Sequence, residues 1–151
     1  MFVILETMAH ICLKGQAMQS STSRSPHIRP DGYVAPDSID ELIARYQLGE
    51  RYFADIDLAD GSVLASLDLH DSNFDNALLT DIDFRGANLT QVSFRDANVK
   101  CSDFRDANLS HATFERAHIE GALFSAKGCE EAHFTGAWYY GVQLKEGDRP
   151  I

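Results

Sequence analysis

ALLTD IDFRG ANLTQ VSFRD ANVKC SDFRD ANLSH ATFER AHIEG ALFSA, residues 77–126, repeats itself every five residues. The third residue of each pentad is large and apolar, the first is small or β-branched, and the rest are mostly polar. A period of five suits neither regular structure. Five steps of about 100° carry a helical residue to the wrong face, and an odd step flips a strand residue to the opposite side. The apolar third residue can keep facing one interior only if the chain turns about once per pentad. Coils whose short sides stack on those below then follow, which is a solenoid.

The aromatics constrain the coil further. Third positions alternate through Leu79, Phe84, Leu89, Phe94, Val99, Phe104, Leu109, Phe114, Ile119 and Phe124, so Phe recurs every ten residues. Phe stacks on Phe only if a coil has an even number of sides. These pentads resemble the pentapeptide-repeat family, whose motif is approximately A-(D/N)-L-x-x. The resemblance implies an all-β fold, a right-handed quadrilateral parallel β-helix with twenty residues per coil, in agreement with the even number of sides. The repeats here suffice for about four to five coils, over residues 51–146, followed by a tail over 147–151.

Third-position residues run at strict spacing from Leu64 to Leu144, whereas Leu48, Phe53 and Leu58 sit in a register displaced by one. One extra residue therefore lies between, and Asp60-Gly61 is its expected place, because Gly tolerates a bulge at little cost. With twenty-residue coils, Phe74, Phe94, Phe114 and Phe134 form one interior column and Phe84, Phe104 and Phe124 another. Ala at 77, 87, 97, 107, 112, 117, 122, 132 and 137 fits a narrow interior beside each large residue. One pentad breaks the rule: Lys127-Gly128-Cys129-Glu130-Glu131 puts a charge at the small inward position. Burying an unpaired Lys costs several kcal/mol, so a local bulge that turns Lys127 outward is expected, with Cys129 as a small core hydrophobe.

Residues 36–50 predict an N-terminal capping α-helix over about 38–48. Ser38 can accept from the backbone N–H three residues on while Glu41 reaches back, a capping box. Ile39, Leu42, Ile43 and Tyr46 share a face, and Gly49 suits the position just past the end. Such a helix would cover the apolar core and open strand edges of the first coil.

Residues 1–35 share nothing with the repeat and have the composition of a disordered leader or linker, or of an extension upstream of a start at Met8 or Met18. Phe2-Val3-Ile4-Leu5 has no basic residue before it and Glu6 after it, which disfavours a secretory signal; residues 7–30, with Lys14, Arg24, Arg29 and no acid, carry a weak transit-peptide pattern. No run reaches the ~18 apolar residues of a membrane span. A cytoplasmic location without membrane contact is therefore expected, with export or organelle targeting through residues 1–30 as the alternative.

The net charge is −10, and residues 52–151, with seventeen acids and eight bases, hold −9 of it. That argues against direct nucleic-acid or anionic-membrane binding, which needs a basic surface. Cys12, Cys101 and Cys129 are far apart, without metal-binding spacing. His70, His111, His118 and His133 occupy outward positions in different columns, so no metal site is expected. A straight rod offers little concavity for a catalytic pair, so the reading is non-enzymatic, with no catalytic residue and no cofactor.

What remains is a protein-interaction or scaffold module, its partner unspecified. The candidate contact is the end of the rod, Trp138, Tyr140 and Val142, because Trp and Tyr are favoured where apolar surface meets a partner. A homodimer through this C-terminal coil is the specific form expected. The most acidic face carries Asp68, Asp71, Glu130 and Glu131, with uncharged rungs such as Asn88 and Asn108 between. The family resemblance implies an alternative, since some members mimic DNA, bind DNA gyrase or topoisomerase IV and protect them from quinolones. Here the mimicry is thin: Arg85, Arg95, Arg105 and Arg116 interrupt the acidic faces. A charge of −9 on a rod about 24 Å long is also sparser than the duplex value of one per ~1.7 Å.

Overall fold

The computed structural model describes residues 25–150 of the 151 in the chain. The expectations for residues 1–24, including any targeting role and Cys12, lie outside the described residues.

Turns come first, because they solve the problem of the odd period. In most pentads the N–H of the small residue closes a β-turn onto the carbonyl of the preceding large one: Ala77 to Phe74 (3.1 Å), Ala87 to Phe84 (3.0 Å) and Ala97 to Phe94 (3.2 Å). The fifth residue of the pentad takes the left-handed conformation, as at Asp81 (φ 57°), Gly86 (66°), Gln91 (58°) and Asp96 (57°). Asp, Asn and Gly adopt that conformation more readily than other residues, which gives the frequent fifth-position Asp and Gly a backbone role.

Between turns the chain is extended just long enough for one bridge. Val63 pairs in parallel with Asp83, Asp68 with Asn88, Asn73 with Ser93 and Leu78 with Asn98, each twenty residues on. The columns continue through Asp103, Asn108, Thr113 and His118. Each coil thus contributes four bridge positions to a parallel β-helix. The two earliest bridges, Tyr52 with Asn73 and Asp57 with Leu78, are offset by 21 residues. The extra residue is absorbed at the Ala59–Ser62 turn, where the Ser62 N–H reaches the Ala59 carbonyl at 3.1 Å and Gly61 takes φ 78°. This is the region the register shift pointed to.

The core is a stack of rings between aliphatic columns. Phe74, Phe94, Phe114 and Phe134 follow one another at 5.6, 4.9 and 5.0 Å, and Phe84, Phe104 and Phe124 at 4.9 and 5.1 Å. The two columns also meet edge-on, Phe94 against Phe104 at 5.8 Å and 77°. Leu69, Leu89, Leu109, Leu79, Val99 and Ile119 are buried beside them. Each such side chain contributes roughly 1.5–3 kcal/mol of transfer free energy. Where Ser102 replaces Ala at a small inward position, its hydroxyl accepts from the Ile82 N–H (2.9 Å) and donates to the Leu79 carbonyl (2.6 Å), so the buried polar group is satisfied.

Helix α1 (Ile39–Gln47) closes the N-terminal end. Ser38 Oγ accepts from the Glu41 N–H (3.3 Å), and Glu41 Oε2 reaches back to the N–H of Asp37 (3.1 Å), one residue earlier than the usual box. At the other end Gly49 (φ 93°) donates to the Tyr46 carbonyl and Glu50 to that of Arg45, both at 3.0 Å, a Schellman arrangement. The last part of the expected leader is tied down here. Tyr33 donates its hydroxyl to the Ala54 carbonyl (2.9 Å) and packs edge-on against Tyr52, while Arg45 Nη1 holds the Val34 carbonyl (2.8 Å). Arg45 is 7% exposed and pairs with Glu41 at 2.5 Å, so its charge is compensated where water is excluded.

Two departures from the regular coil lie near the C-terminus. A short 3₁₀ helix, Ala126–Cys129, replaces the irregular pentad, so Asn108 gains no bridge at position 128. A Cβ at Gly128 would lie 2.8 Å from the Ala107 carbonyl oxygen, which explains glycine there. Cys129 is fully buried, and burial pushes its thiol up to about 11. The direction of the Lys127 side chain falls outside the described residues.

The second departure corrects the regular trace to Leu144. Instead of a further coil, Tyr140 (φ 48°) and Gly141 (φ 81°) reverse the chain. Strand β1 (Trp138–Tyr139) then pairs antiparallel with β2 (Val142–Gln143), Trp138 opposite Gln143 and Tyr139 opposite Val142. Two successive left-handed residues make the two-residue hairpin turn that matches strand twist. The spacing of five could not reveal this, because Leu144 is half-buried against the core either way.

Candidate interaction surface

The hairpin is built onto the last rung of one bridge column. Trp138 pairs in parallel with His118, the Trp138 N–H donating to the Ala117 carbonyl (2.8 Å) and the Ile119 N–H to that of Trp138 (3.0 Å). The His118 and Trp138 rings lie parallel at 6.4 Å, and Tyr140 sits edge-on to Tyr139 at 4.9 Å. Tyr140 is 68% and Val142 62% exposed; Trp138 is 37% exposed. The three residues singled out from the sequence thus share one hairpin. They do not share one face: strand pairing sets Trp138 beside Gln143 and Val142 beside Tyr139.

The acidic candidates are separated. Asp68 accepts from Asn88 (2.9 Å) and lies 2.8 Å from His70 Nδ1, and Asp71 approaches Nε2 of the same ring at 3.8 Å. Tyr46 of α1 also meets His70 Nδ1 at 3.0 Å, so this cluster anchors the helix to the rod. The hydrogen bond with His70 holds the Asp68 carboxyl below its ordinary range. Glu130 and Glu131 lie exposed beyond the 3₁₀ helix, at the other end, with Glu131 3.7 Å from His111 Nε2.

The flanks of the rod are ladders of opposite charges. Arg85 clasps Asp83 through two hydrogen bonds (3.0 and 2.7 Å), and Arg105 clasps Asp103 likewise (2.9 and 2.6 Å). Arg116 spans one coil to Asp96 (2.8 and 2.7 Å), and Arg95 spans one to Glu115 (2.9 Å). The arginine hydrogen bonds hold Asp83, Asp96 and Asp103 below the ordinary carboxylate range. A feature that pattern reading did not anticipate is that Asn73, Ser93 and Thr113, outward by register, are buried. Ser93 Oγ and the Arg95 N–H both bind Asp75 Oδ1, and the Asp75 N–H binds Asn73 Oδ1 (2.8 Å). The recurrence of small polar residues at 73, 93 and 113 beneath Asp75, Arg95 and Glu115 is the signal that could have exposed it.

Among the described residues, no group of three or more His, Cys, Asp or Glu side chains is placed to hold a metal ion, and no helix is long and apolar enough to cross a membrane. Cys101 is exposed.

Residues 52–124 match the pentapeptide repeat region family. Solved structures similar to this chain include a pentapeptide repeat protein from the cyanobacterium Cyanothece 51142, at 23% identity and TM-score 0.48, covering 63% of this chain and 62% of that one. Another, from Nostoc Pcc 7120, is 24% identical with TM-score 0.48 over 77% of this chain and 93% of that one. A third, from the thylakoid lumen of Arabidopsis thaliana, is 28% identical with TM-score 0.39 over 59% and 69% of the two chains. The comparison with curated proteins found no match.

Proposed function

We propose, from the match of residues 52–124 to the pentapeptide repeat region family, that this chain is a non-enzymatic interaction module: a right-handed, four-sided rod that presents its C-terminal hairpin to a protein partner. One observation carries this reading. The arginines along the flanks are engaged with acids of the same rod, whereas Trp138 and Tyr140 stand exposed where the stack of coils ends. Exposed aromatics at such a place are what partner surfaces are enriched in.

A homodimer through the hairpin is the simplest form of the reading. Light scattering at high micromolar concentration tests it: a dimeric mass that becomes monomeric in Trp138→Ala supports it, and a monomeric mass for both removes it. For a different partner, pull-down from native extract should recover a protein with the wild type and not with Trp138→Ala. Equal recovery by both variants would overturn the surface assignment. The acidic charge alone does not carry the DNA-mimic alternative, since the flank arginines neutralise neighbouring acids. Inertness in a gyrase supercoiling assay is the expected outcome.

A further inference from the structure

We infer that residues 145–150 form a strap that opens and closes over the C-terminal end of the rod while the coils stay folded. It lies on the half of that end which the hairpin leaves uncovered, so it goes beyond the interaction reading above and needs no contact at Trp138. The irregular pentad creates the need for it. In the regular coils the fourth-position carbonyl of a pentad accepts from the coil before, Thr90 from the Asp71 N–H and Ser110 from the Gln91 N–H, both at 2.9 Å. At Glu130, just past the 3₁₀ helix, that carbonyl is taken instead by Arg149 Nη2 (2.6 Å), and Arg149 Nη1 holds the Cys129 carbonyl. One guanidinium thus stands in for the backbone donors of a regular rung.

Little holds the strap in place. Gly147 (φ 86°) turns it back, with the Asp148 N–H on the Lys145 carbonyl (3.0 Å) and the Lys145 N–H on Asp148 Oδ2 (2.8 Å). Those bonds lie within the strap itself. Among the described residues, its hydrogen bonds to the coils come from Arg149 alone; residues 145–149 are exposed, and Pro150 is buried. A segment with few buried contacts and exposed hydrogen bonds opens at far lower cost than the fold as a whole. Closed, the strap keeps the last coil from presenting an open edge on this side. Open, it uncovers Cys129, which is fully buried and close enough for the Arg149 charge to act on its thiol.

Cys129 therefore reports on the strap, with exposed Cys101 as the control. The experiment is iodoacetamide labelling of the full chain under native conditions, the rate at each cysteine being read by mass spectrometry. Only the thiolate of an uncovered cysteine reacts, so the Cys129 rate follows the open population. Arg149→Met should raise that rate about tenfold or more. Gly147→Val should raise it about tenfold, since a Cβ there meets nothing within 4 Å and acts only through the strained left-handed backbone. Cys101 labelling and the melting temperature should stay as in the wild type. Low urea should leave the wild-type Cys129 rate nearly flat, because a small opening exposes little surface. An unchanged Cys129 rate in either variant would overturn the strap. So would a wild-type rate that climbs with urea as steeply as global unfolding, or a fall in melting temperature large enough to account for the faster labelling. Trp138→Ala should leave the Cys129 rate unaltered, so the strap and the hairpin surface stand or fall separately.

Discussion

Phe104 and Phe124 lie 5.1 Å apart with their rings within 3° of parallel, although twenty residues separate them in the chain. Phe114, midway between, meets both edge-on at 5.4 and 5.5 Å. The interior is therefore one interlocked set of rings, with little room for added volume.

Ala107 sits in that set at 4% exposure. Ala107→Leu should overpack it and cost about 1–3 kcal/mol, whereas the outward Ser110→Leu should stay within about 0.5 kcal/mol. Thermal melts of the two variants check this; equal midpoints would mean that the inward positions are misassigned.

Asp81 is exposed at φ 57°. Asp81→Val places a β-branched residue in the left-handed region and should lose about 1–2 kcal/mol, while Asp81→Gly should be close to neutral. Urea denaturation of the pair separates backbone strain from any loss of charge, which both variants share.

Glu41 and Arg45 form an ion pair with side chains 7% and 8% exposed. Arg45→Met alone strands a buried carboxylate and frees the Val34 carbonyl, so a loss of about 3–5 kcal/mol is expected. Adding Glu41→Leu should recover a large part of it. A double-mutant cycle in which the two losses simply add would show that the pair is not coupled.

The acid response follows from the arginine clasps. Asp83, Asp96 and Asp103 titrate below the ordinary carboxylate range when folded. A depressed folded value means that the unfolded chain takes up protons first, so the stability these groups contribute is present above the unfolded value. It is lost as pH falls through the folded one. Melting temperature should fall from mildly acid pH downward, and Arg105→Met should shrink that fall. High salt should shrink it too, since the arginines of the pairs are more than half exposed. An unchanged acid profile in Arg105→Met would dissociate the clasp from stability.

The repeat, its interior columns and the inserted residue near Gly61 were legible because each leaves a periodic trace: a large residue every fifth position, Phe every tenth, and one slip in spacing. Helix α1 was legible from Ser38, Glu41 and Gly49, whose capping chemistry is local. The hairpin was not. Tyr139 and Leu144 keep the spacing of five while the backbone between them reverses, and apolar spacing does not distinguish a fifth-residue turn from a two-residue one. Nor did the apolar spacing show that Asn73, Ser93 and Thr113 are covered: only the recurrence of small polar residues there pointed to it, and contacts such as Ser93 Oγ to Asp75 join residues nearly a coil apart.

Thus the amino-acid order alone determined that this protein coils with an even number of sides, because a five-residue period buries its apolar residues only if the chain turns about once per pentad, and Phe recurs every ten residues. Tertiary structure decided how the coil ends: the Tyr140-Gly141 reversal, the 3₁₀ turn at Ala126–Cys129 and the Glu41–Arg45 pair under the N-terminal segment. Inside the rod every rung is satisfied by the next, so local rules repeat. At the ends no next rung exists, and the groups left over are met by contacts between residues distant in sequence, which no repeat encodes.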